Sequence, residues 1–325
     1  MYASTLNGAA INRTLVMAHR GSRYLMPENT ILAFKTALDI GTDVLETDVR
    51  ATKDGHLVVF HDKQIVRTTG LPGEVETLTL AQLQEIDAAA MFSPDNGTTR
   101  PFRNKGIRVP LAREMFDALP PATPLNIEIK EDDRNVSQLL WSEIERAFDN
   151  GRPHRSIVVS SRFCAPTSHI RELAAQYASK HQLTELPITT SACEKDVVRF
   201  LLLAQFFLAK IWYSWFPINN YEVFQIPTAS GPMALDTPRV IDAAHYFGKH
   251  VHYWVINSPG EIDRIASLGI EGIITDRPDN AVRVLQQRGI KPRSWVIPKP
   301  LPGNHTVLQS NTKKKTTRVV KVKRN

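Results

Sequence analysis

Four short strings in this chain of 325 residues put reactive side chains at the ends of apolar runs: His19-Arg20-Gly21, Glu46-Thr47-Asp48, His61-Asp62 and Glu128-Ile129-Lys130. Glu46 and Asp48 are two residues apart, which on an extended strand points both carboxylates to one side. Carboxylates gathered in one mouth repel each other unless a cation joins them. A hard divalent ion with oxygen ligands meets that need, so Glu46, Asp48 and Glu128 are read as ligands of one Mg²⁺ or Ca²⁺. Zinc fits less well, because no His/Cys set has ligand spacing. His19 and His61 are then left for proton transfer near neutral pH, and Arg20 and Lys130 supply the positive charge that phosphate oxygens require. A divalent ion, two imidazoles and two cations together describe phosphoryl chemistry on an anionic phosphodiester.

Such residues converge only if the runs that carry them are neighbouring strands. Eight short apolar or β-branched runs alternate with longer helical stretches: 14–19, 44–49, 125–130, 157–161, 186–190, 223–227, 250–255 and 272–275. This alternation predicts parallel strands with helical crossovers. A ninth run, 57–61, follows the second too closely for a parallel crossover. The tight-turn dipeptide Asp54-Gly55 lies between the two, so it is expected to return antiparallel. Eight parallel strands in roughly 300 residues is the arithmetic of an α/β fold of the (β/α)₈ barrel type, with the active site at the C-terminal strand ends. The barrel is placed at 14–290, with an insertion at about 50–120 that is rich in Gly, Pro, Asp and Asn from residue 62. Helices are expected at 31–38 with Gly41 closing, and at 139–148, 168–178, 238–247 and 259–267. Beyond Pro298 the composition turns to Pro, Asn, Thr and Lys, so 298–325 reads as a flexible tail.

The strings HRGSRYLMPENT (19–30), GTDVLETDV (41–49), TKDGHLVVFHD (52–62), RVPL (108–111), NIEIK (126–130) and GIITDRP (272–278) occur in that order. As a set they closely resemble the glycerophosphodiester phosphodiesterases. The resemblance implies a barrel, a metal ion on Glu46, Asp48 and Glu128, and His19 and His61 as an acid/base pair. It further implies that the substrate's own glycerol hydroxyl attacks phosphorus and that water then opens a cyclic phosphate, yielding an alcohol and glycerol 3-phosphate. Asn29 is read either as holding the His-Arg-Gly loop or as a helix cap, and Asp276 either as reaching the mouth or as capping a loop. Arg162 stands where many relatives carry an aromatic residue, which is either an extra phosphate contact or local variation. Trp254 matches an aromatic position of the family and either lines the alcohol pocket or packs in the core. His245, His250 and His252 read as structural, and Glu143, Glu145 and Arg146 as a solvated helix face.

The composition, 42% hydrophobic and 22% charged, is that of a globular protein. The net charge of +7 resides in the last thirteen residues, where Lys313, Lys314, Lys315, Arg318, Lys321, Lys323 and Arg324 have no acid among them. The remaining body is neutral, so nucleic acid is not an expected partner. Cys164 and Cys193 have neither metal nor disulfide-framework spacing, which fits a reducing compartment. The N-terminus lacks a secretory pattern, so a cytoplasmic location is expected. The apolar run at 200–216 is too short and too interrupted to span a bilayer. It reads either as a barrel helix or as a lip that sets Trp212 and Trp215 at a lipid–water interface. This run, followed by the string Phe224-Gln225-Ile226-Pro227, resembles the membrane-associated, lysophospholipase D branch of the family, which makes lysophospholipids a second expected substrate class. Peripheral contact with anionic membrane through this run and the basic tail goes with that reading. A barrel that binds phospholipid headgroups without turning them over is the alternative from another class.

Overall fold

The computed structural model describes residues 13–205, 212 and 221–293. In chain order the strands are β1 (Leu15–Ala18), β2 (Val44–Ala51), β3 (Leu57–Val59), β4 (Leu125–Ile129), β5 (Ile157–Ser160), β6 (Thr189–Thr190), β7 (Val223–Ile226), β8 (Ala229–Ser230), β9 (Met233–Ala234), β10 (His250–Tyr253) and β11 (Gly272–Thr275). Eight of these pair in the order β6-β5-β4-β2-β1-β11-β10-β7. The two ends of the row meet through a parallel bridge between Ser191 and Val223. There the Glu222 N–H donates to the Thr190 carbonyl (3.1 Å) and the Ala192 N–H to the Val223 carbonyl (2.8 Å). The result is a nearly closed parallel barrel, as the eight runs led us to expect. β3 returns antiparallel to β2 with Val49 opposite Val59, and β8 and β9 form a small hairpin beyond β7 that the sequence did not announce.

The two-residue period of the strands divides the core. Leu15, Met17, Val44, Val158 and Ile274 fill the barrel interior, while Val16, Ala18, Leu45, Ile127 and Ile273 face the helices. The parity that buries Val44 inside carries Glu46 and Asp48 into the interior above it. Gly272 is required by this interior: a Cβ there would lie 2.5 Å from Met17 Cε and 2.7 Å from His252 Cδ2. His252 is fully buried, and that burial lowers its pKa to about 3, so it is neutral at physiological pH.

Helices follow the strands at Ile31–Ile40, Arg134–Asp149, Cys164–Lys180, Glu194–Gln205, Pro238–Tyr246, Pro259–Ala266 and Pro278–Gln287. Thr30 caps the first by accepting the Ala33 N–H (3.2 Å), which settles the cap on Thr30 and leaves Asn29 free for another use. The helix expected from 139 starts at Arg134, because Asp133 accepts the Asn135 N–H (2.7 Å) as its cap. The run expected at 186–190 yields only two strand residues. Pro187 cannot donate to a ladder, and pairing begins beyond it. Residues 62–120 form short helices, Val66–Thr69, Leu80–Gln84 and Ala112–Ala118. A small core of their own, with Ile65, Val75, Leu83 and Val109, packs on Val58 and Phe60.

Cys164 and Cys193 are joined in a disulfide, with 5.1 Å between their Cα atoms. This corrects the argument from cysteine spacing for a reducing compartment. The cause is topological: β5 and β6 are neighbours, so the starts of the helices after them adjoin although 29 residues separate the cysteines. Arg162 is exposed and pairs with Glu194 across the same junction (2.8 Å), which favours local variation over a phosphate contact. No described helix is long and apolar enough to cross a membrane. The helix Glu194–Gln205 buries Phe200 and Leu201 and exposes Val198 and Leu202, and Trp212 is 43% exposed. Trp215 and the tail 298–325 lie outside the described residues.

Replacing both cysteines with serine should lower the unfolding free energy by about 3–4 kcal/mol, the loop-entropy scale for a crosslink of this span. Denaturant titration of the two proteins, run without reductant, checks this, and coincident curves would contradict it.

Candidate active site

The C-terminal ends of β1, β2 and β4 and the residues just beyond β3 meet at one mouth. β1 ends in the turn His19–Gly21, in which Arg20, Gly21 and Ser22 all have positive φ (49°, 74° and 85°). This left-handed turn aims the Arg20 backbone N–H at Glu46 Oε2 (2.8 Å). Gly21 is needed in it, since a Cβ would stand 2.7 Å from the Phe34 ring. Asn29, also left-handed (φ 56°), donates its backbone N–H to the Arg20 carbonyl (2.9 Å) and its side-chain amide to Asp48 Oδ2 (2.8 Å). The Thr47 hydroxyl donates to Asn29 Oδ1 (3.0 Å) and so fixes the orientation of that amide. Asn29 therefore does hold the His-Arg-Gly loop.

Glu46 and Asp48 are both buried, and Asp48 lies opposite Glu128 in the ladder between β2 and β4. Burial, reinforced by the neighbouring Asp48 carboxylate, pushes Glu46 up to about 7. Burial acts on Asp48 in the same sense. There it is outweighed by the Lys130 ammonium, His61, Arg20 and the Asn29 amide, which hold Asp48 well below the usual carboxylate range. Lys130 Nζ lies 3.0 Å from Asp48 Oδ1 and 2.7 Å from Glu128 Oε2, and Arg20 Nε lies 3.5 Å from Asp48 Oδ2. Oxygens of Glu46, Asp48 and Glu128 all fall within 4.8 Å of one another, so the three could hold one metal ion. Asp48 Oδ1 is buried and accepts no well-directed hydrogen bond. A buried carboxylate oxygen that faces the Lys130 ammonium without a directed hydrogen bond, beside two further carboxylates, suits a hard cation.

Each histidine is gripped at Nδ1. His19 Nδ1 lies 2.6 Å from Asp276 Oδ1, and His61 Nδ1 lies 2.5 Å from Asp62 Oδ1. Burial would raise both aspartates, but the bonds from their histidines, and from Arg67 in the case of Asp62, keep both lowered and ionised. An ionised carboxylate only accepts, so the hydrogen is assigned to Nδ1 of each ring. His19 Nε2 faces Arg20 Nε (3.2 Å) and lies 4.0 Å from Glu46 Oε2. Asn257 supports the first pair by donating to Asp276 Oδ2 (3.1 Å) and accepting the Asp276 N–H (2.9 Å). Asp276 thus reaches the mouth and does more than cap a loop. Trp254, at the end of β10, is 43% exposed and is not a core tryptophan.

The profile described as the glycerophosphoryl diester phosphodiesterase family matches residues 19–280, a span that contains every residue of this site. The chain belongs to that family. Its members are phosphodiesterases, and this sets aside the reading as a barrel that only binds headgroups. A glycerophosphodiester phosphodiesterase of Caldanaerobacter subterraneus is 28% identical, over 85% of this chain and all of its own length. A lysophospholipase D of Rattus norvegicus is 30% identical, over 81% of this chain and 83% of its own. Two solved structures share the fold. A glycerophosphodiester phosphodiesterase of Agrobacterium tumefaciens has a TM-score of 0.62 at 21% identity, covering 82% of this chain and 98% of its own. A phosphodiesterase of Oleispira antarctica, solved with the product sn-glycerol-3-phosphate, has a TM-score of 0.63 at 18% identity, covering 84% and 97%.

Sequence reasoning passed over Asp62 as a partner, Asn257, Glu28 and Arg67. Asp62 is signalled by its place directly after His61 and Glu28 by its place inside HRGSRYLMPENT, while Asn257 lies in none of the quoted strings. Arg67 carried no signal at all.

Lys130 faces two carboxylates in a largely buried place, so Lys130→Met should lower the unfolding free energy by about 3 kcal/mol, with added Mg²⁺ or Ca²⁺ recovering part of the loss. Urea titration with and without the cation checks this, and an unchanged midpoint would contradict it.

Proposed function

We propose that this mouth hydrolyses glycerophosphodiesters to an alcohol and sn-glycerol 3-phosphate, with His19 and His61 as the acid/base pair. The observation that carries the reading is the Nδ1 grip on both rings. With Nδ1–H committed to a carboxylate, Nε2 of each imidazole is the atom that takes or gives a proton, that of His19 once the Arg20 Nε–H it now accepts turns to the substrate phosphate. One ring accepts the proton of the substrate's glycerol hydroxyl as that oxygen attacks phosphorus. The other protonates the departing alkoxide, so the alcohol leaves neutral. Water then opens the cyclic phosphate with the two roles exchanged. Asp276 and Asp62 stabilise the imidazolium that forms at each stage, as a carboxylate behind a catalytic histidine does.

In this reading Glu46, Asp48 and Glu128 hold one Mg²⁺ or Ca²⁺, and Arg20 and Lys130 bind phosphate oxygens. A bound divalent cation supplies polarisation of the phosphate and neutralises its charge. The Oleispira relative's product, sn-glycerol-3-phosphate, is the product expected here.

Lysophospholipids form a second substrate class, favoured by the likeness to the rat lysophospholipase D and by the exposed Trp212 and Trp254. The phosphodiester core is the same, and only the lip that meets the acyl chain differs. Peripheral contact with anionic membrane through 200–216 and the basic tail belongs to this second class, and such contact would place the protein at a membrane's inner face.

His19→Ala and His61→Ala should each lower kcat on the order of 10²-fold or more, the usual cost of a lost general acid or base. Phosphorus NMR of glycerophosphocholine turnover measures this. EDTA should stop the reaction, and added Mg²⁺ or Ca²⁺ should restore it. Near-full activity in both variants, or turnover indifferent to EDTA, would remove the reading. Lysophosphatidylcholine in the same assay should yield lysophosphatidic acid if the second class is a substrate.

A further inference from the structure

Arg67 comes from the short helix Val66–Thr69, in the insertion between β3 and β4 and outside the eight-stranded barrel. Its guanidinium nevertheless spends all three nitrogens on two carboxylates of the mouth. Nε donates to Asp62 Oδ2 (2.5 Å), while the terminal nitrogens donate to Glu28 Oε2 (2.7 Å) and Oε1 (2.6 Å). Asp62 holds His61 through its other oxygen. Glu28 Oε1 also accepts from an Arg20 terminal nitrogen (2.9 Å), and Arg20 Nε faces His19 Nε2 (3.2 Å). A continuous chain therefore runs His61, Asp62, Arg67, Glu28, Arg20, His19. Every link has an ionised donor or acceptor, and the Arg67–Glu28 link is bidentate, a geometry that fixes orientation as well as distance.

We propose that Arg67 is a positioning residue that sets the His61–Asp62 pair in register with Arg20 through Glu28. The inference rests on the reading of His61 as half of the acid/base pair. Without Arg67, Asp62 loses the donor that pins one of its oxygens and can rotate about its χ2, carrying the His61 ring with it. At the same time Glu28 loses its bidentate partner, so the anchor of Arg20 loosens. The phosphate-binding and proton-transfer groups then cease to be placed relative to one another, although each is still present. The insertion is on this view part of the catalytic apparatus, since it supplies the central link of the chain.

The test is steady-state kinetics on glycerophosphocholine for Arg67→Ala, Arg67→Lys, Asp62→Asn and the double variant Arg67→Ala/Asp62→Asn, with His61→Ala run in parallel. Arg67→Ala should lower kcat about 10- to 100-fold, the usual range for a supporting partner, while KM changes by less than about threefold. Arg67→Lys keeps the charge and loses the fork, so its kcat should fall between those of wild type and Arg67→Ala. Asp62→Asn breaks the same chain while leaving Arg67 in place, which guards against a misfolded Arg67→Ala. The double variant should lose no more than the worse single one, because both cut one chain. A purely structural role would lower the melting temperature and leave kcat of the folded enzyme intact. Normal kcat in Arg67→Ala and Asp62→Asn alongside an inactive His61→Ala, or losses that multiply in the double variant, would overturn the proposal. An active His61→Ala would instead overturn the acid/base reading on which it stands.

Discussion

Two buried carboxylates inside a barrel, Glu46 and Asp48 on one face of β2, set the terms for everything at the mouth. Their burial and mutual repulsion are unfavourable unless donors and cations gather round them. The left-handed turn 20–22 brings a backbone N–H to Glu46, and Asn29 and Lys130 are drawn to Asp48 for the same reason. The positive-φ residues of this loop are thus tied to the acids they serve, as backbone strain at a working site should be. Burial and the neighbouring Asp48 push Glu46 up to about 7, and its oxygen lies within 4.8 Å of oxygens of Asp48 and Glu128, a grouping that could hold a divalent ion.

Around that pair the ionised side chains alternate in sign. Asp276 and Asp62 stand behind the two histidines, and Arg67 and Arg20 share Glu28. Burial taxes every one of these groups, and each is held in its charged form by the next. A network of this kind is worth more in placement than in stability, because a fully satisfied set of charges has one low-energy arrangement.

Much of this could be read from residue order alone. Apolar runs at barrel spacing predicted all eight strands, and Asp54-Gly55 predicted the antiparallel return. The strings that end those runs named the residues now found together at the mouth. What could not be read depends on contacts between residues distant in sequence. Cys164 and Cys193 meet only because β5 and β6 are neighbours. Asp276 reaches His19 across 257 residues because β11 lies beside β1. Arg67 enters the site from a segment whose composition says only loop. The shortened β6 and the early start of the helix at Arg134 were local effects, of Pro187 and of the Asp133 cap, that a pattern of apolar residues does not register.

The need of Glu46, Asp48 and Glu128 for a cation is the claim on which the whole account turns. Calorimetric titration of the metal-free protein with Mg²⁺ and with Ca²⁺, in the absence of substrate, tests it most directly. One ion should bind per chain for at least one of the two metals, and binding should be lost in Asp48→Asn and in Glu128→Gln. Absence of binding for both ions, or undiminished binding in those variants, would contradict the account.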